Sequence, residues 1–317
     1  MILLIGGILL SLLSGPVDTD LSDLWDFFIN ADKPLSAIIL NIRLPRLILA
    51  FLVGACLSLS GAMLQGYFRN PMAGPFVVGV SSGASFGAVL ALFSGFTLRI
   101  WGLSAQNIFA FASGFLLVSV VYLLSQKKGG VFRVETLLLT GIAAGALASS
   151  LTSFMIFFKA DAFEQAIFWL LGSFALSDWA QIWAVLPYLL VSFIGAQWLA
   201  KDMNLLSLGD ETAHSLGCPV RRIRKVFLIL ATLLASSAVS VSGIIGFVGL
   251  IIPHWVRLLI GPDHRYLFPF SALLGGIFCI YSDMLARTLL SPTEIPIGII
   301  TAAVGAPFFI YLLHKKS

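Results

Sequence analysis

The amino-acid sequence predicts an all-α protein that crosses a membrane many times. Of its 317 residues, 59% are hydrophobic and 11% are charged, and the mean hydropathy is +1.00. A soluble domain of this length carries far more polar surface. Several apolar stretches approach or reach the roughly 20 residues that a helix needs to cross the hydrocarbon core of a bilayer. Most of the 29 glycines fall within these stretches, which is typical of helices that pack closely in lipid.

Ten candidate spans follow one another in a single transmembrane domain that covers residues 1–317. The first span is short for a full crossing, and no basic residue precedes it, so we do not expect a cleaved signal peptide. The eighth span is also short and contains Pro253, which favours a partial crossing. The spans cover residues 2–17, 46–66, 76–96, 103–125, 135–158, 179–200, 224–244, 246–259, 267–289 and 296–314.

The distribution of lysine and arginine predicts the orientation, because cytoplasmic loops are enriched in these residues. With a cytoplasmic N-terminus, 13 of the 19 Lys and Arg residues lie inside and six lie outside. Both chain termini and the polar segment 201–225 are then cytoplasmic. The six outside residues are Lys33, Arg43, Arg46, Arg99, Lys159 and Arg287.

The polar segment 201–225 interrupts two long apolar stretches and predicts a surface that contacts a partner. Within it, the carboxylates of Asp210 and Glu211 suit a helix N-terminus, and Gly217 with Pro219 beyond it suits a helix end. A short helix over residues 210–216 is therefore predicted.

A basic run follows in the same segment, at Arg221, Arg222, Arg224 and Lys225. Basic residues beside a membrane span fix topology and contact anionic lipid. Contact with a cytoplasmic partner is the alternative for this run.

Small and mildly polar residues form a stripe on the fifth span, at Thr140, Ala144, Ala148 and Thr152. Their four-residue spacing places them on one helix face. Such a face either lines a wide pathway for a bulky solute or packs closely against another helix.

Catalytic and metal-binding motifs are missing from the sequence. Its four histidines form no H-E-x-x-H motif or i,i+4 pair, and it contains no G-x-x-x-x-G-K-[ST] phosphate loop. The three cysteines, Cys56, Cys218 and Cys279, imply no disulfide framework. The chain is therefore predicted to be a transport protein without a metal site or cofactor of its own, and any ATP hydrolysis belongs to a separate subunit.

An ATP-independent secondary transporter or a channel is the alternative function. Ion-coupled carriers commonly hold ionisable residues at mid-membrane, where each charge costs about 2.5–3.5 kcal/mol on insertion scales. Here the middles of the predicted spans are nearly free of charge, which favours a neutral pathway.

Ordered motifs from about residue 35 to the C-terminus resemble the permease family of type II ABC importers for iron–siderophore complexes, haem and vitamin B12, the FecCD and BtuC-like permeases. Each motif alone is weak, and the ordered set is specific. The motifs are Arg43-Leu-Pro-Arg46, Ser60-Gly-Ala-Met-Leu-Gln65, Arg69-Asn-Pro-Met-Ala73, Gly79-Val-Ser-Ser-Gly-Ala84, Gly246-Phe-Val-Gly-Leu-Ile-Ile-Pro-His254, Gly261-Pro-Asp-His-Arg265, Asp283 with Arg287, and Glu294-Ile-Pro-Ile-Gly298.

The resemblance implies the BtuC-like fold of about ten helices per subunit, in a prokaryotic cytoplasmic (inner) membrane. It implies a second permease subunit, identical or a paralogue, and two cytoplasmic ATPase subunits that bind ATP and magnesium. An external binding protein would deliver the substrate, an iron–siderophore or a haem- or cobalamin-type complex. The sequence does not identify the solute, and siderophore, haem, cobalamin and a small oxyanion all stay open. Nucleic acid has no part in this function.

Site residues also follow from the resemblance. The predicted helix 210–216 matches the coupling helix that the ATPase holds, although His214 stands where the family has arginine. The coupling residues are Gly209, Asp210, Glu211, Ala213, His214, Leu216 and Gly217, and the cytoplasmic gate is expected at Asn70, Met72, Val134 and Glu135.

Three outer arginines, Arg43, Arg46 and Arg287, match family positions that pair with glutamates of the binding protein. We expect them to be exposed and to orient its docking. Asp283 and Arg287 stand four residues apart on one helix, so the alternative is that they neutralise each other.

Overall fold

The computed structural model describes residues 2–14, 37–126, 134–159 and 163–316. Helices dominate this part of the chain, and each of the ten predicted spans coincides with a helix. Six of the helical stretches are long and apolar enough to cross a membrane. The prediction of an all-α polytopic membrane protein is therefore confirmed.

The helices are α1 (Ile2–Leu13), α2 (Leu44–Phe68), α3 (Val80–Ser94), α4 (Ala105–Leu124), α5 (Val134–Phe158), α6 (Phe163–Leu170), α7 (Trp179–Trp198), α8 (Ala200–Ser207), α9 (Asp210–Ser215), α10 (Val220–Ser242), α11 (Val248–Ile260), α12 (His264–Thr288) and α13 (Ile297–Lys316). A π-helical segment, Ile39–Arg43, leads directly into α2. Two short strands, β1 (Arg99–Ile100) and β2 (Leu103–Ser104), pair antiparallel before α4.

Side chains at the helix starts explain several boundaries. Ser104 and Asn107 form a reciprocal capping box at the start of α4. Asp178 accepts a hydrogen bond from the backbone of Gln181 at the start of α7, and Asp263 accepts one from the backbone of Arg265 at the start of α12. The third predicted span starts later than expected, because residues 76–79 form turns that end at Gly79, with φ of 95°.

Helix α2 occupies the centre of the bundle, and 89% of its most apolar window is buried. It packs against α7, α10, α11 and α12. Glycines bring the backbones together, since a Cβ added at Gly61 would lie 1.7 Å from the carbonyl oxygen of Gly249, and one at Gly54 would lie 2.2 Å from that of Gly275. Such close backbone contact is how helices gain packing energy when lipid removes the hydrophobic driving force between them.

Helix α11 supports the expected partial crossing. Its 13 residues span about 20 Å at 1.5 Å per residue, against about 30 Å of hydrocarbon. The close contact of Gly249 with Gly61 places its first turn within the length of α2.

The bundle has two ends, separated by about 37 Å along the 25 residues of α2. The Arg46 end holds the last turn of α1, the first turn of α2 and the last turn of α12. The Asp210 end holds the last turn of α2, the short helices α8 and α9, and the first turns of α10 and α12. Candidate functional residues lie at both ends.

Candidate functional site

Helix α9 stands at the Asp210 end within the polar segment predicted as a partner surface. The predicted helix is confirmed, although it ends at Ser215, with Leu216 as its C-cap. Gly209 and Gly217 flank it with φ of 114° and 84°, a backbone region that favours glycine. The backbone N–H of Cys218 donates to the carbonyl of Ala213, and that of Gly217 donates to the carbonyl of His214. These two bonds form a Schellman motif that fixes the helix end.

The anchored side of α9 faces the protein. Ala213 and Cys218 are buried, and burial raises the pKa of the Cys218 thiol. The carboxylate of Asp210 accepts hydrogen bonds from Arg69 and from Arg224, each at 2.8 Å. Asp210 therefore ties the first turn of α9 to the end of α2 and to the start of α10.

The opposite side of α9 is open. Glu211, His214 and Leu216 are exposed, and Leu216 presents 59% of its surface. Of the predicted coupling residues, these three and Gly217 are exposed, whereas Ala213 is buried and the partly exposed Asp210 bonds within the chain. The coupling role itself stays a prediction.

The predicted gate turn begins where α2 ends. Arg69 adopts a left-handed conformation with φ of 51°, and the side chain of Asn70 accepts a hydrogen bond from the backbone of Met72 at 2.9 Å. Asn70 and Glu135 are exposed and Met72 is half-buried, while the side chain of Val134 lies outside the described residues. The gate stays a prediction, but the ion pair of Arg69 with Asp210 connects this turn to α9.

A buried ion-pair cluster occupies the Arg46 end. Arg46 forms hydrogen bonds to Asp283 from Nε at 3.0 and 3.1 Å and from Nη2 at 2.9 Å. Its Nη1 bonds to Glu294 at 2.9 Å. Nε of Arg287 lies 3.4 Å from Oδ2 of Asp283, an oxygen that also accepts from Arg46. The alternative that Asp283 and Arg287 neutralise each other is therefore confirmed.

Arginines also cap the C-terminus of α1. Arg287 donates to the carbonyl oxygens of Ser11 and Ser14, and Arg43 donates to that of Leu12. The last carbonyls of a helix lack partners within it and carry partial negative charge, so guanidinium groups stabilise them.

The expectation that Arg43, Arg46 and Arg287 are exposed is wrong, since their exposed fractions are 5%, 8% and 5%. Helix α1 and the two carboxylates cover them. The sequence alone did not show this, because the partners of Arg46 come from 237 and 248 residues away. Docking by these arginines stays a prediction.

The predicted pathway stripe on α5 faces mainly into the chain. Ala148 and Thr152 are buried, and Thr140 and Ala144 are half-buried. Within this chain the four positions lie on or beside a packing face, because Gly141 and Gly145 approach α3 and the turn before it. Their role in the pathway stays a prediction.

A different set of small residues on α5 is exposed. The set consists of Ala143, Ala146, Ser149, Ser150 and Ser153. Small residues occur on both sides of α5, so their spacing alone did not distinguish the packing face from the exposed face.

Polar contacts connect α8 to α12 at the Asp210 end. Asn204 donates to Asp263 at 2.7 Å, and its side-chain oxygen accepts from the backbone of His264 at 2.9 Å. Hydrogen bonds from Arg265 and Asn204 hold the pKa of the Asp263 carboxyl well below its usual range. The motif Gly261–Arg265 therefore builds a helix start that holds α8.

Metal-binding geometry is not found among the residues that the structure describes, where no three His, Cys, Asp or Glu side chains cluster. Cys56, Cys218 and Cys279 are each buried with free thiols.

Comparisons with known proteins extend these observations. A model of the FecCD transport family matches residues 3–315. The cobalamin import system permease protein BtuC of Halobacterium salinarum is 45% identical over 87% of this chain and 73% of its own length. The hemin transport system permease protein HmuU of Yersinia pestis is 38% identical over 87% of this chain and 83% of its own length.

A solved structure has the same fold over nearly the whole chain. It is described as an inward-facing conformation of a metal-chelate type ABC transporter. Its TM-score is 0.88 at 35% identity, and the match covers 99% of this chain and 97% of that one.

Proposed function

Because the chain belongs to the FecCD transport family and is a transport permease subunit, we propose that it works in an ABC importer for metal chelates. The observation that carries this proposal is the geometry of α9. A short helix with two fixed ends exposes Glu211, His214 and Leu216, while Asp210 ties it to α2 and α10. A short, anchored helix of this kind can bind a soluble ATPase at the membrane surface and transmit its movement to α2 and α10.

Orientation follows from this role. The Asp210 end faces the cytoplasm, and the Arg46 end faces the outside of a prokaryotic inner membrane. Both termini are then cytoplasmic, and the gate turn at Asn70 and Met72 lies on the cytoplasmic side. The excess of Lys and Arg in the loops of the Asp210 end supports this assignment.

The partners are two ATPase subunits that bind ATP and magnesium, a second permease subunit and an external substrate-binding protein. The exposed face of α5, with its small and hydroxyl-bearing residues, forms part of the pathway wall between the two permease subunits. If the binding protein docks through Arg43, Arg46 or Arg287, the arginine must first leave its internal partners.

The substrate is a metal bound in a bulky organic ligand: an iron–siderophore, haem or cobalamin. Two relatives are named for cobalamin and hemin. A neutral pathway suits these solutes, and the described ionisable side chains of the long spans lie near helix ends.

Reconstitution in proteoliposomes tests the proposal. The chain, its ATPase and its binding protein are assembled, and uptake of ferric hydroxamate, hemin and cyanocobalamin is measured with and without ATP. Uptake of one chelate is expected only with ATP and with an ATPase competent in hydrolysis. A hydrolysis-deficient ATPase is the matched control. Uptake that persists with this control and collapses with the ion gradient would establish secondary transport instead.

A further inference from the structure

A basic pocket opens at the Asp210 end between α2, α4, α9 and α10. Its volume is about 1010 Å³, and its walls include Arg221, Arg222, Arg224 and Lys225 from the start of α10. Asp210 is the acidic side chain that lines it, and this carboxylate already bonds to Arg69 and Arg224. The pocket therefore carries a strong excess of positive charge.

Arg224 fixes part of that charge in place. Its side chain is 6% exposed and its guanidinium lies 5.2 Å from the centre of the Tyr67 ring. Nη2 bonds to Asp210, whereas Nε and Nη1 are buried and have no hydrogen-bond partner among the residues that the structure describes. Because Asp210 is shared with Arg69, the charge of Arg224 is only partly balanced. This fixed positive charge would stabilise an anion bound in the pocket.

An apolar groove continues from the basic pocket along α4 and α10. Its volume is about 220 Å³, and Tyr122 and Lys225 line both cavities. Phe115, Val118 and Leu123 form one wall, and Leu228 and Ile229 form the other. The hydroxyls of Ser119 and Thr232, which also line it, bond to carbonyls within their own helices at 2.8 and 2.7 Å. The groove therefore offers an apolar surface over about two helical turns, or roughly 11 Å.

We propose that the basic pocket and the apolar groove together bind one anionic phospholipid. The phosphate of its headgroup lies among Arg221, Arg222 and Lys225, and one acyl chain lies between α4 and α10. Basic pockets between membrane helices recognise anionic headgroups in this way. The site has positive charge at one end and a continuous apolar wall beyond it. This combination matches the headgroup and acyl chain of a lipid better than an acidic peptide, whose charged side chains would not fill the apolar groove.

Lipid at this position would contact the helix that we propose binds the ATPase. It would contact the start of α10 beside His214 of α9, which also lines the basic pocket. The lipid then fills the space between α4, α10 and α9, where Asp210 and the exposed His214 of α9 line the pocket. This site depends on residence in the membrane and not on which chelate is carried.

Lipid retention in the purified full-length chain tests the site. The chain is prepared in a maltoside detergent, phosphatidylglycerol or phosphatidylcholine is added, and bound lipid is counted by native mass spectrometry. Phosphatidylglycerol is expected to bind with one high-affinity site, and phosphatidylcholine is not. Removing one charge by Lys225→Gln is expected to weaken phosphatidylglycerol binding about fivefold.

Two further variants distinguish a built site from general attraction. Lys201→Gln removes an exposed lysine of the same polar segment outside the basic pocket and is expected to leave binding unchanged. Ile229→Trp fills the groove without changing charge and is expected to reduce binding at least as much as Lys225→Gln. If Ile229→Trp does not fold, the comparison of Lys225→Gln with Lys201→Gln distinguishes a specific lipid site from general electrostatic attraction.

Four outcomes would overturn the proposal. The first is equal loss in the two lysine variants, and the second is equal binding of the two lipids. The third is that glycerol phosphate binds as tightly as phosphatidylglycerol, which would identify a phosphate site without a role for the groove. The fourth is loss of the bound lipid when the ATPase assembles, which would assign the basic pocket to an acidic surface of that partner.

Discussion

The carboxylate of Asp210 accepts a hydrogen bond from Arg69 at 2.8 Å, and the two residues are 141 positions apart in the chain. Asp210 begins α9, the helix that we assign to ATPase contact, and Arg69 ends α2 immediately before the predicted gate turn. One ion pair therefore joins the helix that we propose contacts the ATPase to the segment that we expect to close the pathway. Arg224 strengthens this connection because it bonds to the same carboxylate oxygen.

Asp210→Asn is predicted to uncouple ATP hydrolysis from transport. The substitution weakens the link to Arg69 and leaves the buried Arg224 without a charged partner, while the shape of α9 is kept. ATP hydrolysis by the assembled transporter should continue, and the amount of substrate taken up per ATP should fall several-fold. Uptake and phosphate release measured in the same proteoliposomes give this ratio.

Glu211→Gln is the matched control, because Glu211 is exposed on the same turn. It is expected to lower the affinity for the ATPase and to leave the uptake per ATP unchanged. The Arg69–Asp210 pair is partly exposed, at 38% and 47%, and such pairs contribute about 0.2–1 kcal/mol. Loss of the pair with Arg224, which is 6% exposed, costs more than loss of the pair with Arg69, so thermal unfolding of Asp210→Asn is measured first to show that the variant is folded. If the uptake per ATP is unchanged in Asp210→Asn, the Arg69–Asp210 pair does not transmit movement from α9 to the gate turn.

Asp283→Asn is predicted to destabilise the fold strongly. It removes the carboxylate shared by Arg46 and Arg287, whose side chains are 9% and 4% exposed. Removing one partner of a buried pair typically costs about 3–5 kcal/mol, because the remaining charge is uncompensated. Thermal unfolding of the detergent-solubilised chain measures the loss.

Arg99→Gln is the control for Asp283→Asn, because Arg99 is an exposed arginine on β1. The unfolding temperature of Arg99→Gln should equal that of the unmodified chain. The double variant Arg46→Gln with Asp283→Asn should lose less stability than the sum of the two single variants. Additive losses would show that the two groups do not stabilise each other.

Gly61→Ala is predicted to disturb the contact between α2 and α11. The added methyl would lie 1.7 Å from the carbonyl oxygen of Gly249, so the two backbones must separate. Overpacking of this kind typically costs about 1–3 kcal/mol. Gly246→Ala is the control, because no described atom outside its chain neighbours lies within 4 Å of a Cβ at that position. Equal unfolding temperatures for the two variants would contradict the close packing of α2 and α11.

Cysteine labelling on α5 is predicted to separate the exposed face from the packing face. Ser150→Cys and Ser153→Cys should react rapidly with a hydrophilic maleimide, and Thr152→Cys should react slowly, because Thr152 is 4% exposed. The three native cysteines are buried and should give little background. Rapid labelling of Thr152→Cys alone would show that the pathway is lined by the stripe that contains Thr140 and Thr152.

Hydropathy and glycine content were sufficient to predict the ten spans, because the bilayer sets both the length and the polarity of a helix that crosses it. The ends of α9 were also predictable, since the carboxylates of Asp210 and Glu211 signal a helix start and Gly217 signals a helix end locally. The contacts of Arg46 and Arg69 were not readable, because each depends on a partner more than 100 residues away. Exposure on α5 was missed for another reason, namely that helix packing and a pathway wall both favour small residues.

The capping of α1 by arginines constrains how this chain is made in the cell. Arg43 lies only 31 residues after Leu12, so it can bond to a carbonyl of α1 early in synthesis. Arg287, which bonds to Ser11, is 276 residues away and leaves the ribosome when nearly the whole chain has been translated. Helix α1 is therefore synthesised long before Arg287, and its contacts are complete only when the last turn of α12 has also formed.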